Sequence, residues 1–354
     1  MGCMIMSKKY LFYISQNYSF AILRPLQSEI KRRGGNVKWF LEPNVNASYL
    51  SVDEEQLTTV EAIQAFNPFA VFVPGNVVPS FIPGIKVGIF HGFDAGKLNR
   101  RGEEDHYQIR GCFDLYCTFG HKVTQQFSKL AKSDQTFKIT DTGWPAVDPL
   151  FSLAPINNPY HDINDNRKTV LLCSTFSRNL TCAPHVYDTI ARLSKTGKWR
   201  WLVQFHPKMD SEIVAKYKAL GSDNLQFIET DNVIPILQAA DVMLCDTSSV
   251  LLMFLLQRKP VVTFKGNQQG KHLIKVSTPE QIESALTEAL TQPDELMRHI
   301  DDYIKYIHAY TDGNSSARVL DAVDNFTYDS LKAKPLNLLR QLKLRKKLGY
   351  WKLS

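Results

Sequence analysis

The sequence predicts an α/β protein of two Rossmann-like domains whose parallel sheets face each other across a cleft, followed by a basic amphipathic C-terminal tail. Three observations carry this. Strand-type apolar runs alternate with helical segments through both halves, a polar turn-rich stretch divides the halves, and the excess positive charge is gathered at the end.

Residues 10–15 read as a strand, followed by a loop with Asn17 and Ser19 and a helix stopped by Gly34-Gly35. A second strand is expected over 36–41, a helix over 54–66 and a strand over 69–73. Pro74, Pro79, Pro83 and Gly84 then break the apolar run before a strand at 86–90, which leads straight into His91-Gly92. Further strands are expected at 112–118 and 137–140, with a helix from His121 between them. Parallel neighbours need a crossover connection, and helices supply it here. Residues 152–167 (SLAPINNPYHDINDNR) read as an interdomain linker. The expected division is a first domain over 1–151, a second over 168–331 and a tail over 332–354. In the second domain, strands are expected at 169–173, 200–205, 225–229, 242–245 and 260–264. Open parallel sheets bind ligands beyond the carboxyl ends of their strands, so the residues directly after each strand are the candidates for function.

Composition narrows the class. A hydrophobic content of 44% and a charged content of 22% fit a globular protein. The six cysteines show no C-x-x-C pair and no zinc-ligand spacing, which suggests a reduced, cytoplasmic setting; no metal or cofactor is expected. No segment reads as a signal peptide or a membrane-spanning helix. Residues 332–354 hold eight Lys or Arg and no acid, so the other 331 residues carry −1 of the chain's +7. That excludes the distributed basic face of a nucleic-acid binder.

The strongest local signal is the turn Asp246-Thr247-Ser248-Ser249, between an apolar strand and an almost wholly apolar helix. Ser248 or Ser249 can cap that helix, and free amides at a helix start suit a phosphate. The stretch, with Arg258-Lys-Pro-Val-Val after it, resembles the D-x-S-S-V…(R/K)-P motif of the CDP-glycerol glycerophosphotransferases, enzymes of teichoic-acid-type polymers with the double-Rossmann GT-B fold. Three further segments resemble that family in its order: His91-Gly92, Phe205-His206-Pro207, and Asp312-Gly313-Asn314-Ser315-Ser316-Ala317-Arg318-Val319.

The resemblance implies a transferase moving glycerol phosphate, or a similar polyol phosphate, from a CDP-activated donor to a hydroxyl of a lipid-linked or polymeric saccharide. It implies His91 as general base, which suits a side chain titrating near neutrality, with Gly92 and Asp94 on the acceptor side. His206 is expected to donate a hydrogen bond to the donor pyrophosphate, with Lys208 offsetting charge on the departing nucleotide. Thr247, Ser248 and Ser249 with Asp246, and Asp312, Ser315 and Ser316, are expected to line the donor site. Two departures stand out. Met253 occupies the position where the family keeps an acid for the nucleotide ribose, and Thr142-Gly-Trp-Pro-Ala-Val-Asp148 follows the family's G-x-P-R-x-D segment without its arginine.

Two alternatives remain at this level. A GT-B glycosyltransferase using a nucleotide-sugar would employ the same helix start, and a non-catalytic membrane-surface relative would accommodate Met253. The tail interleaves leucines with Lys and Arg and ends near Tyr350-Trp351, a composition suited to an anionic membrane surface. The expected location is therefore the inner face of a bacterial cell membrane, as a peripheral protein of surface-polysaccharide synthesis.

Overall fold

The computed structural model describes residues 7–93, 105–151, 158–161, 163–230, 232–247 and 250–352. The chain divides into two compact units, Met1–Pro149 with Ile307–Ser354, and Leu150–Tyr306.

The first unit contains β1 (Lys9–Ile14), α1 (Ser19–Arg32), β2 (Asn36–Leu41), β3 (Gln56–Leu57), α2 (Val60–Phe66), β4 (Ala70–Val73), β5 (Ile85–Gly88), β6 (Leu115–Thr118), α3 (Gly120–Asp134) and β7 (Lys138–Asp141), and α4 (Asp148–Phe151) begins at its edge. Its seven strands pair in the order β3-β2-β1-β4-β5-β6-β7, all parallel. The second unit contains β8 (Thr169–Ser174), α5 (Ala183–Lys195), β9 (Arg200–Phe205), α6 (Ser211–Lys218), β10 (Leu225–Phe227), α7 (Ile234–Ala239), β11 (Val242–Cys245), α8 (Val250–Leu255), β12 (Val261–Phe264), β13 (Ile274–Val276), α9 (Ile282–Leu290) and α10 (Asp294–Ile307). Its six parallel strands follow the order β10-β9-β8-β11-β12-β13. Each sheet starts in the middle, grows one way for two strands and then turns back. The reversal falls between β1 and β4 in one unit and between β8 and β11 in the other, where such sheets open a crevice. Two parallel Rossmann-like sheets are the parts of a GT-B protein.

The strands are apolar on both faces because helices cover both sides. In the second unit Val170, Leu172, Trp201, Val203, Val242 and Leu244 share a core with Val186 and Ile190 of α5 and Leu286 of α9. In the first, Phe12, Trp39 and Phe72 pack with Phe20, Leu23 and Leu26 of α1.

Three differences from the sequence reading have physical causes. The helix expected from residue 54 starts at Val60. The Glu54 carboxylate is drawn inward, accepting hydrogen bonds from Arg24 Nε (3.0 Å) and Ser51 N (2.8 Å), and Gln56–Leu57 joins the sheet edge beside β2. Residues 307–331, expected with the second domain, belong to the first unit: α11 (Ser315–Asp324) buries Val319, Leu320 and Val323 in the core that holds Phe12. Residues 158–161 and 163–167, expected in a linker, pack on the second unit, Asn158 Nδ2 donating to Pro235 O (2.8 Å) and Arg200 Nη1 to Tyr160 O (2.9 Å).

The basic tail is anchored to the first unit at several points. Its helix, α12 (Leu338–Leu348), is capped by Asn337 and ended by Gly349. Lys334 pairs with Asp114 and Lys347 with the buried Glu42, while Leu344 and Tyr350 are buried and the Arg345 guanidinium lies 4.7 Å over the Phe81 ring. Among the described residues no helix is long and apolar enough to cross a membrane.

Candidate functional site

At the switch point of the second unit, Asp246 follows β11 and is almost fully buried. Its carboxylate accepts from Ser174 Oγ (2.5 Å), Thr175 N (3.1 Å to each oxygen) and Cys182 N (2.9 Å). These donors come from the end of β8 and the loop after it, so Asp246 clasps the two central strands where the crevice opens. Its oxygens are committed to these protein donors. Thr247 lies at the rim and its hydroxyl accepts from Asn267 N (3.3 Å). Ser248 and Ser249 lie outside the described residues. In α8, Leu251, Leu252, Phe254 and Leu255 are buried while Met253 is partly exposed.

His206 and Lys208 follow β9 on the same edge, both exposed. The His206 ring lies 4.4 Å from that of Phe176, which belongs to the loop after β8, and Lys208 Nζ lies 5.8 Å over the same phenyl ring. Lys208 N donates to His206 Nδ1 (3.1 Å). A ring nitrogen that accepts a backbone N–H carries no proton, so the imidazole proton sits on Nε2.

In the first unit, β5 ends at Gly88 and the chain reaches His91 through Phe90, whose φ is +59°. A bulky residue in the left-handed region stores strain that its surroundings must hold. The Phe90 ring is packed against His106, Phe119 and Phe127, and its carbonyl accepts from Trp144 Nε1 (3.4 Å). This turn presents His91, exposed, with its ring 5.8 Å from that of Tyr18, which follows β1. His91 Nδ1 lies 3.2 Å from Pro74 O, just after β4. A carbonyl only accepts, so Nδ1 carries a proton. The two histidines thus meet the backbone in opposite senses, His91 Nδ1 donating to Pro74 O and His206 Nδ1 accepting from Lys208 N. Gly92 follows His91 at the same edge, and Asp94 lies outside the described residues.

The late motif has a different use from the expected one. Asp148 Oδ1 accepts from Ser315 N (2.9 Å), and its Oδ2 from Ser316 N (2.8 Å) and Ser316 Oγ (2.7 Å). Both serines are buried in the first unit, and the first amides of α11 are spent on Asp148. Gly143 has φ +78°, and a Cβ there would stand 2.5 Å from Ser315 Oγ, so glycine is required. The Gly-Trp-Pro-Ala-Val-Asp segment and the Ser-Ser pair, separate in sequence, are one clasp that docks α11. Asp312 is paired with Arg318, whose guanidinium lies 3.8 Å over Tyr310. Asp312, Ser315 and Ser316 therefore make these contacts within the first unit.

Sequence reasoning missed two segments on the second unit's carboxyl edge. One is the loop after β8, with Phe176 exposed and Arg178 at the surface; the other follows β12, where Lys265 (φ +51°) and Gly266 turn toward Asn267 beside Thr247. Both stand directly after predicted strands, and that position was the available signal. A cavity of about 420 Å³ lined by Arg200, Trp201 and Leu225 opens at the opposite, amino-terminal edge of this sheet, the wrong side for the crevice. Burial, and then Asp246, pushes the thiols of Cys173, Cys182 and Cys245 up, so they are inert at neutral pH. Among the described residues no group of three or more His, Cys, Asp or Glu is placed to hold a metal ion.

Residues 112–325 match the family described as CDP-Glycerol:Poly(glycerophosphate) glycerophosphotransferase. No curated protein matches the sequence. Among solved structures, the wall teichoic acid polymerase TagF is similar with a TM-score of 0.67 at 13% identity, covering 89% of this chain and 88% of that one. A histidine-to-asparagine variant of TagF with CDPG gives 0.66 at 14% identity, covering 90% and 88%. A UDP-N-acetylglucosamine 2-epimerase gives 0.59 at 18% identity, covering 94% and 99%. At these identities the structures establish the shared GT-B fold, and the family match, which spans more than half of the chain, establishes that it belongs to the CDP-glycerol:poly(glycerophosphate) glycerophosphotransferase family.

Proposed function

We propose that this chain transfers glycerol phosphate from CDP-glycerol to a hydroxyl of a membrane-linked saccharide or polymer, with His91 as general base and His206 as hydrogen-bond donor to the departing nucleotide. Family membership supports the reaction class. The observation that supports these roles is the opposite polarity of the two imidazoles: His91 Nδ1 donates to Pro74 O, and His206 Nδ1 accepts from Lys208 N.

In the proposed step His91 Nε2 takes the proton of the acceptor hydroxyl as its oxygen bonds to the β-phosphorus. The bond from that phosphorus to the bridging oxygen breaks, and CMP leaves with the electron pair. His206 Nε2–H and the Lys208 ammonium offset the charge that gathers on the leaving phosphate, stabilisation that counts most where charge develops. Thr247 and Ser248-Ser249 are proposed to face the pyrophosphate, with Asp246 holding their turn. Met253 supplies no acceptor for a ribose hydroxyl, so nucleoside recognition is assigned to other groups on this edge.

The acceptor and the place of work are part of the same proposal. Residues 332–352 present Leu336, Leu338, Leu339, Leu342 and Trp351 to solvent beside a run of Lys and Arg, which supports seating on the anionic inner face of a membrane. The donor assignment is tested by incubating the protein with membranes carrying acceptor and either CDP-glycerol or UDP-sugars. Acceptor-dependent CMP release is expected. UDP release would instead establish a glycosyltransferase, and nucleotide binding without turnover a non-catalytic relative.

A further inference from the structure

One aromatic ring on the carboxyl edge of the second unit packs on polar groups outside the core. Phe176, in the loop after β8, is 43% exposed. Its ring lies 4.4 Å from the His206 imidazole, at an interplanar angle of 37°, and 5.8 Å below Lys208 Nζ. Both partners follow β9, the neighbouring strand. The loop that carries the ring is pinned on either side of it. Before it, Ser174 Oγ (2.5 Å) and Thr175 N (3.1 Å to each oxygen) donate to the Asp246 carboxylate; after it, Cys182 N donates to the same group (2.9 Å). Within the loop Leu180 N and Thr181 N donate to Ser177 O at 2.9 and 2.8 Å. The phenyl ring is therefore a fixed surface, and the exposed His206 and Lys208 side chains rest on it.

We propose, resting on the reading of His206 and Lys208 as the groups that meet the leaving phosphate, that Phe176 is a positioning residue for the transfer. Its ring holds the imidazole and the ammonium where charge gathers on the departing nucleotide. A lysine stem is flexible, and an unheld ammonium spreads over many positions. The face of an aromatic ring carries partial negative charge and attracts an ammonium within about 6 Å of its centre. Ring pairs at this spacing attract each other beyond the area they bury. Leucine fills similar space but offers no such face. Holding the two groups matters because a misplacement of about 1 Å can cost about a hundredfold in rate. In this role the ring makes no contact with substrate. Through Thr175 and Asp246 it ties the ends of β8, β9 and β11 into one support.

The test is acceptor-dependent CMP release in single turnover at saturating CDP-glycerol, with CDP-glycerol affinity and melting temperature measured alongside. The chains compared are wild type, Phe176→Leu and Phe176→Tyr, and Phe176→Leu added to a chain that already carries His206→Ala and Lys208→Ala. Phe176→Leu is expected to lower the rate by about ten- to thirtyfold, with affinity within about threefold and the melting temperature unchanged. Phe176→Tyr keeps the aromatic face and is expected to recover most of that loss. In the chain without His206 and Lys208, Phe176→Leu is expected to cost less than about twofold, because the groups it places are gone. A further loss of about tenfold there would mean that the ring acts on substrate directly, and would overturn the positioning role. So would affinity about tenfold weaker at an unchanged rate, which would make Phe176 a stacking platform for the nucleobase. If wild type turns over and Phe176→Leu matches it, the positioning role fails while the transfer reading stands. If wild type releases no CMP with any membrane acceptor, both fall together. Should Phe176→Leu melt early, Phe176→Met repeats the comparison with a more adaptable side chain.

Discussion

Asp246→Asn separates a clasp from a ligand contact. The carboxylate holds Ser174 Oγ at 2.5 Å, Cys182 N at 2.9 Å and Thr175 N at 3.1 Å, and is only 1% exposed. An amide keeps the shape but turns one end into a donor that faces donors, and it removes the charge from the bonds that survive. Hydrogen bonds to a charged group contribute about 1.5–3 kcal/mol, neutral ones about 0.5–1.5. Three contacts that each lose about 1 kcal/mol destabilise the second unit by about 3 kcal/mol. For a unit of this size that lowers its melting temperature by about 6–12 °C. Scanning calorimetry reads this directly, with CDP-glycerol binding measured well below the transition. An unchanged melting temperature combined with lost binding would refute the clasp and return Asp246 to the ligand.

Stability should fall in mild acid. Burial, the leading cause in both, lowers the pKa of His308 in the first unit and His272 in the second to about 4, so each is neutral when folded at neutral pH. The unfolded chain binds these protons near pH 6.5, so stability is complete above about pH 6.5 and is lost as pH falls toward 4. From about pH 7 to about pH 5 each histidine should cost about 2 kcal/mol, seen as a lower urea midpoint. Ending the chain after Asn337 should destabilise the first unit by about 3–6 kcal/mol, because Leu344 and Tyr350 leave buried positions and Glu42 loses Lys347. Membrane tests are therefore better made with Leu338→Ser or Leu342→Ser, which should leave the melting temperature within about 1 °C of wild type. Gly143→Ala should lower it, since the new methyl meets Ser315 Oγ at a left-handed residue.

Much of the architecture was legible because strands buried on both faces declare themselves as continuous apolar runs. The ranges 36–41, 200–205 and 242–245 came out to the residue. Long-range closure was not legible. Nothing in residues 315–324 states that Val319 and Leu320 complete the core around Phe12, because an amphipathic helix shows a face but not its partner. The tail shows the same limit: its composition announced a surface helix, yet the ion pairs of Lys334 and Lys347 with buried acids far away in sequence hold it to the first unit. Among the candidate site residues, His91 and His206 stood out because they follow strands. Asp148 was noticed only as part of an irregular motif, and its use as the cap of α11 required the fold. The tautomers could not be read from sequence, because Pro74 O and Lys208 N act through geometry.

The most direct measurement is acceptor-dependent CMP release from CDP-glycerol by wild type and His91→Ala in single turnover. The variant is expected to keep its melting temperature and its affinity for CDP-glycerol while its rate falls by about 10²–10⁴-fold. Near-normal CMP release by His91→Ala, or none from the wild type with any membrane acceptor, would contradict a transfer in which His91 Nε2 takes the acceptor proton.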